Sequence, residues 1–244
     1  MLTSITNPKV KEWKKLHKRK YRDQLQKFIV EGIHLVEEAL SSDWDVEEVI
    51  VREDYEEKLP QKVEVTEVST QVFATVAGTE TPQGIAAVVY IKQQDLTFKP
   101  LTLLVDAVQD PGNLGTLIRT ADAAGYSQVI AGKGTVDVFN EKVIRSTQGS
   151  LFHIPVFQQD LESSIEGLKQ SGVTVYASTL ENSASYKDFN ADGNAALIVG
   201  NEGNGIDPTL TGMADHRVHI PIYGKAESLN VAMAGGILMY YFRG

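Results

Sequence analysis

The chain has 244 residues, enough for one large domain or two modest ones, with the apolar content of an ordinary globular protein. It contains no cysteine, which excludes disulfides, thiolate metal sites and a cysteine nucleophile and fits a reducing cytoplasm. The net charge of −9 argues at first against a nucleic-acid partner, but the charge is unevenly distributed.

The N-terminus lacks the charged and apolar blocks of a signal peptide. Asn7-Pro8 opens a helix, with proline at its first position, that is expected to run to about Gln26. That helix holds Lys9, Lys11, Lys14, Lys15, Lys18, Arg19, Lys20 and Arg22. With Lys27 beyond it, nine basic residues stand against Glu12 and Asp23 alone. The local excess is about seven positive charges, the usual electrostatic footprint of phosphate binding, and Lys14, Lys15, Lys18 and Arg19 are its central candidates for phosphate contact. A solvated helix face is the plainer alternative. Trp13, His17 and Tyr21 recur at i, i+4 and i+8, so one side of the same helix carries rings, which either pack on the domain or stack on bases. Packing is expected for Trp13.

Residues 28–31 form a short strand and 32–40 show helical spacing. Val46 to Val51 and Val63 to Val68 are β-branched strands. Ser69 caps a helix through Ala77, and Gly84 to Ile91 reads as a strand buried on both faces. The polar stretch Lys92 to Pro100 is the best linker. It divides the chain into an N-terminal α/β domain, residues 1–96, and a second domain, 97–244.

In the second part, Leu101 to Val105, Gln128 to Ala131, Val173 to Ser178, Ala195 to Val199 and His216 to Ile220 read as strands. Helices are expected over about 114–124, 140–148 and 160–170, followed by a nearly all-apolar final helix capped by Ser228. Leu229 to Phe242 is the longest apolar run, too short for a membrane span and read as a buried helix. Strands separated by helices imply an α/β fold with a mostly parallel sheet covered on both faces.

Three loops carry the chemistry. Asn113-Leu-Gly-Thr-Leu-Ile-Arg-Thr-Ala-Asp-Ala-Ala-Gly125, Ile198-Val-Gly-Asn-Glu-Gly-Asn-Gly-Ile-Asp207 and Ile220-Pro-Ile-Tyr-Gly-Lys-Ala-Glu-Ser-Leu-Asn-Val231 each join an apolar run to a glycine- and asparagine-rich turn. The glycines at 200, 203 and 205 have the spacing G-x-x-G-x-G, not the G-x-G-x-x-G of a dinucleotide site, and no P-loop occurs. A nicotinamide oxidoreductase therefore has little support. Strand ends of an open parallel sheet are where such folds bind ligands.

In this order the three segments resemble the signature motifs of the SpoU (TrmH-type) RNA ribose methyltransferases of the SPOUT superfamily. The junction Phe28-Ile-Val-Glu-Gly32 and the segment Thr81-Pro-Gln-Gly-Ile-Ala86 resemble the RNA substrate-binding domain found ahead of many such enzymes, similar to ribosomal kink-turn proteins. The resemblance implies a deep trefoil knot in the second domain and S-adenosylmethionine bound through the backbone of Thr179, Leu180, Gly200, Ile220 and Leu229. It implies a homodimer whose subunit interface completes the pocket, no metal, and an RNA substrate, ribosomal RNA before tRNA. Asn113, Arg119, Glu202, Ser228 and Asn230 are the implied catalytic set. A guanidinium is not deprotonated in proteins, so Arg119 is read as holding a phosphate and stabilising the developing oxyanion, with the proton passing to phosphate or water. Glu202 is expected to shape the site and orient Arg119 or Asn113. The family pattern often places serine after Asn-Val, where this chain has Ala232. A non-catalytic RNA-binding protein with a vestigial pocket is the remaining rival.

Overall fold

The computed structural model describes residues 1–57 and 63–244. The chain forms two compact units, Met1–Gln94 with Phe139–Phe152, and Asp95–Val138 with His153–Gly244.

The first unit starts with two helices, not one: α1 (Pro8–Lys15) and α2 (Arg19–Leu25). The break at residues 16–18 is held by polar contacts. Buried Arg22 donates from Nη1 to the Leu16 carbonyl at 2.7 Å, and the His17 ring bonds the Val76 carbonyl at 2.8 Å. The expected row of rings is interrupted there, and Trp13 is buried, donating Nε1 to the Glu48 carboxylate at 2.9 Å. Then come β1 (Lys27–Glu31), α3 (Ile33–Ser41), β2 (Val46–Arg52), β3 (Glu64–Val68), α4 (Thr70–Val76) and β4 (Ile85–Tyr90). The sheet order is β1-β4-β2-β3. β4 runs antiparallel to both its neighbours, while β2 and β3 are parallel. Five of the six β4 residues are buried, as their apolar run requires for a central strand. Val10, Trp13 and Leu16 of the first helical stretch and Val72, Phe73 and Val76 of α4 pack on Ile29, Ile50, Ala86 and Val88. The segment 139–152, which a division at residue 97 would leave in the second part, joins this unit through rings. Phe139 and Phe152 lie 4.8 and 6.3 Å from Phe28, and Trp44 meets Phe28 and Phe152 edge-on.

The later elements are β5 (Thr102–Val105), α5 (Pro111–Ala123), β6 (Gln128–Ala131), α6 (Glu141–Thr147, part of the first unit), β7 (Val156–Gln158), α7 (Leu161–Gln170), β8 (Thr174–Ser178), β9 (Ala184–Ser185), β10 (Ala195–Val199), α8 (Pro208–Met213), β11 (His216–His219) and α9 (Val231–Arg243). The strands among them form one seven-stranded sheet of order β7-β6-β5-β10-β8-β11-β9, parallel throughout. Every residue of β5, β6 and β10 is buried, which is why these strands read as apolar runs apart from Thr102 and Gln128, whose buried side chains bond each other at 3.0 Å. Alternation divides them between two layers. Leu104, Ile198, Val175 and Ala177 face Leu161, Ile165, Leu168 and Leu210 of α7 and α8. On the opposite face Tyr176 stacks on Phe242 of α9 at 4.2 Å.

The ends of two helices differ from the sequence expectation. α5 begins at Pro111, three residues before Leu114, because the Asp110 carboxylate accepts from the Asn113 N–H at 2.8 Å and caps it. α9 is capped by Asn230 and not by Ser228. Nor is α9 fully buried, since Met233, Ile237 and Tyr240 stand 62, 40 and 59% exposed in a row at helical spacing. β7, β9 and α8 went unread in the sequence because each is too short to show periodicity. Among the described residues no helix is long and apolar enough to cross a membrane.

Candidate active site

Because the sheet is parallel, the loops after β5, β8, β10 and β11 all leave its carboxyl edge. β10 is inserted between β5 and β8, so the strand order reverses at this point and opens a crevice there. A cleft of about 920 Å³ lies at this edge. Thr179 and Leu180 line it from β8, Gly200 through Ile206 from β10, and Ile220, Ile222, Ser228, Leu229 and Asn230 from the segment after β11.

The β10 loop folds back on itself. Asn201 and Gly205 exchange backbone hydrogen bonds at 2.9 and 3.0 Å. The Asn201 carboxamide oxygen accepts from the N–H groups of Gly203 and Asn204, and its amide donates to the Ala107 carbonyl at 2.7 Å. A Cβ on Gly200 would fall 2.3 Å from the carbonyl carbon of Gly205, so only glycine permits this closure. Asp106 fixes the far end of the loop by accepting from the Asp207 N–H at 2.7 Å. Burial raises the Asp106 carboxyl above the usual aspartate range against that hydrogen bond, with the nearby Asp207 charge adding to the rise. Asp106 and Asn201 were missed in the sequence. Each directly follows a strand or its terminal glycine, the one local sign that it ends an element facing the cleft.

Three of the expected residues form a connected chain. The Glu202 carboxylate accepts from the backbone N–H groups of Gln109 and Asp110 at 3.2 and 3.1 Å, and from Asn113 Nδ2 at 3.0 Å. Asn113 Oδ1 in turn accepts from Asn230 Nδ2 at 2.9 Å. Asn230 Oδ1 accepts from the N–H groups of Ala232 and Met233 at the start of α9. Each amide orientation is thereby set by its neighbour, from the carboxylate to the helix end. Partial burial pushes the Glu202 carboxyl up, but the hydrogen bonds from Asn113, Gln109 and Asp110 outweigh it and hold the group below the usual glutamate range. Of the two side chains that Glu202 was expected to orient, Asn113 is hydrogen-bonded to it and Arg119 is not.

Ser228 lines the cleft and makes no hydrogen bond with a described residue. Arg119 stands apart. Its side chain is exposed on α5, lies outside the cleft lining and makes no ion pair or hydrogen bond with any described residue. α5 packs closely on α9, where a Cβ on Gly235 would fall 2.6 Å from the Leu117 side chain.

In the first unit the basic segment is sorted by the fold. Lys9 is bound to Glu48 and Glu64 at 2.7 and 2.9 Å, Lys27 to Glu47 at 2.6 Å, and Arg22 is buried. Burial opposes the charge of Lys9, yet its bonds to Glu48 and Glu64 prevail and raise its pKa. Lys11, Lys14, Lys15, Lys18, Arg19 and Lys20 stay exposed. Lys15 lies 5.5 Å over the Tyr21 ring, and Arg19 stands 3.7 Å from Asp23. No cluster of acidic and histidine side chains suited to a metal occurs among the described residues.

Residues 100–240 match the SpoU rRNA methylase family, and residues 7–87 match the MRM3-like substrate binding domain. The chain is 49% identical, over all of its length and 99% of the relative's, to the 23S rRNA (guanosine(2553)-2′-O)-methyltransferase RlmP of Bacillus subtilis. Among solved structures, the AdoMet-bound rRNA methyltransferase of Sinorhizobium meliloti superposes with a TM-score of 0.89 at 33% identity, covering 99% of this chain and 96% of that one. The SpoU methyltransferase AviRb of Streptomyces viridochromogenes, in complex with AdoMet, superposes with a TM-score of 0.88 at 25% identity, covering 97% of each chain.

Proposed function

Because the chain belongs to the SpoU rRNA methylase family, we propose that it uses S-adenosylmethionine to methylate a ribose 2′-hydroxyl of 23S ribosomal RNA. The observation that carries this reading is the Glu202–Asn113–Asn230 chain beside a glycine-walled cleft. The cleft suits a nucleoside cofactor. Its volume is in the range of small-molecule sites, Leu180, Ile220, Ile222 and Leu229 offer apolar walls for an adenine, and a Cβ on Gly205 would meet nothing within 4 Å, so the main chain there is open to a ligand. Thr179, Leu180, Gly200, Ile220 and Leu229 are the residues that would hold it. When bound, S-adenosylmethionine supplies a methyl group on a positively charged sulfur.

The residues of the chain do the rest. Glu202 and Asn230 fix the Asn113 carboxamide beside the cleft, where it orients the incoming ribose. Ser228 offers a further hydroxyl on the same side. Arg119 grips the adjoining phosphate through its planar fork and stabilises negative charge as it develops on the 2′-oxygen. The proton leaves to phosphate or to water.

Arg119 performs this role in the cleft of a second copy of the chain. Its exposure, its lack of a partner and its position on the helix packed against α9 support that assignment. So does the apolar row of Met233, Ile237 and Tyr240, which suits an isologous homodimer contact. The first unit binds the RNA, with Lys14, Lys15, Lys18 and Arg19 on phosphates. The functional division of the chain near residue 97, the trefoil knot and a cytoplasmic setting belong to the same reading. The Bacillus subtilis relative named for 23S rRNA favours ribosomal RNA over tRNA, because the likeness spans both units.

Two measurements test the proposal. Calorimetry should show S-adenosylmethionine binding without added metal, and NAD binding alone would sink the assignment. Mapping 2′-O-methyl sites in RNA from cells with and without the gene should show one 23S rRNA site lost. Loss of a tRNA site would redirect the substrate, and loss of none would favour the non-catalytic rival.

A further inference from the structure

Tyr223 lies in the segment between β11 and α9 and is 89% exposed, the highest value among the large apolar and aromatic side chains of the described residues. It makes no ring contact or hydrogen bond with any described residue. Other tyrosines of the second unit are engaged. Tyr176 stacks on Phe242, while Tyr186 and Tyr241 meet edge-on at 4.8 Å. Tyr240 is exposed, but on the apolar row of α9. Tyr223 lies outside that helix, and its backbone is tied to the cleft. Ile220 and Ile222 before it line the cleft wall, as do Ser228 and Leu229 after it. The ring is therefore anchored one residue from the wall while projecting into solvent. Lys225, two residues on, is exposed and has no ion pair with any described residue.

An uncovered ring beside an unpaired cation, at the rim of a cleft that accepts a ribose, matches the way proteins hold unstacked nucleotides. A ring face stacks on a base and a cation meets the neighbouring phosphate. We propose that Tyr223 is the stacking platform for a nucleobase of the RNA, next to or at the methylated nucleotide, and that Lys225 binds the adjoining phosphate. The inference rests on the RNA methyltransferase reading and adds a substrate-positioning residue to it. Stacking tolerates any base, so Tyr223 contributes affinity and placement, and base identity is read elsewhere.

The test uses the full chain and a 23S rRNA transcript carrying the mapped site. Tyr223→Ala should weaken RNA binding by roughly 5- to 150-fold, the span of one lost base stack, and Tyr223→Phe should restore it. S-adenosylmethionine affinity and oligomeric state should not change in either variant. Lys225→Ala should lower the log–log salt slope of RNA binding by about one unit or slightly less. Should Tyr223→Ala fold poorly, Tyr223→Trp supplies a direct signal, since its added fluorescence should be quenched on RNA binding. Equal RNA affinity in wild type and Tyr223→Ala, or no quenching, overturns the proposal while leaving the methyltransferase reading intact. Loss of cofactor affinity would instead make the ring a cofactor cover, and dissociation an interface contact, and either result overturns it too. A wild type that neither binds nor methylates RNA would remove the underlying reading and this inference with it.

Discussion

The Glu202 carboxylate is the acceptor on which three hydrogen bonds of the proposed site converge. Its two oxygens accept three hydrogen bonds, two of them from main-chain N–H groups. A glutamine there has one acceptor oxygen, so its NH₂ would face a donor. Glu202→Ala, which removes both oxygens, should release Asn113 and slow single-turnover methyl transfer by about 10- to 100-fold, at a stability cost of about 1 kcal/mol or more. The pH dependence has a definite sign. The folded-state carboxyl is held below its ordinary value, so its stabilisation is complete above the usual glutamate range and is lost as pH falls through the lowered value. Melting curves between about pH 6 and pH 3 should therefore show a smaller acid loss for Glu202→Gln than for wild type. Equal losses would mean that the hydrogen bonds contribute nothing. For Arg119, lysine keeps the charge and loses the fork. Arg119→Lys should slow transfer on the order of 100-fold with cofactor affinity preserved, and the rising limb of the pH–rate profile should not move. A displaced limb would favour arginine as the base, and near-normal turnover of Arg119→Ala would exclude both roles.

At the scale of elements, the break between α1 and α2 separates structural from available charge. Lys9, Arg22 and Lys27 are held by carboxylates or buried, whereas Lys14, Lys15, Lys18 and Arg19 are exposed over the last turn of one helix and the start of the next. Replacing those four with alanine removes about four phosphate contacts and should lower the log–log salt slope of RNA binding by roughly 3 units. Cofactor affinity should be unchanged, because the cleft is built wholly from the second unit. An unaltered slope would return this segment to a solvated face. The break itself was not legible in the sequence. The basic run has helical composition throughout, and the contacts that end α1 come from Val76, distant in sequence, and from Arg22, whose burial charge alone does not suggest.

For the whole molecule, the row of Met233, Ile237 and Tyr240 and the position of Arg119 make one joint prediction. If two copies pair through α9 and exchange Arg119, Arg119→Ala and Asn230→Ala are each inactive alone but complement when mixed. Half of randomly re-formed dimers are mixed, each with one intact site, so about a quarter of wild-type activity should return. Ile237→Asp should give a monomer in sedimentation and abolish both activity and complementation. A fully active monomer would refute the shared site.

The sequence by itself determined the parallel architecture, because strands buried on both faces must be largely apolar runs, as at 103–105 and 195–199. It also carried the resemblance to the family, because the glycines, asparagines and carboxylate of the three segments follow in a fixed order. What only the tertiary structure decided is who touches whom. Asn113 and Asn230 stand 117 residues apart, and their hydrogen bond exists because β10 is inserted beside β5 and α9 returns to pack on α5. Residues 139–152 read as part of the second domain from position alone, yet Phe139 and Phe152 bind the segment to Phe28 of the first unit. Local patterns record how each segment buries its own surface. They do not record which distant segment supplies the partner, since any apolar face satisfies the same pattern.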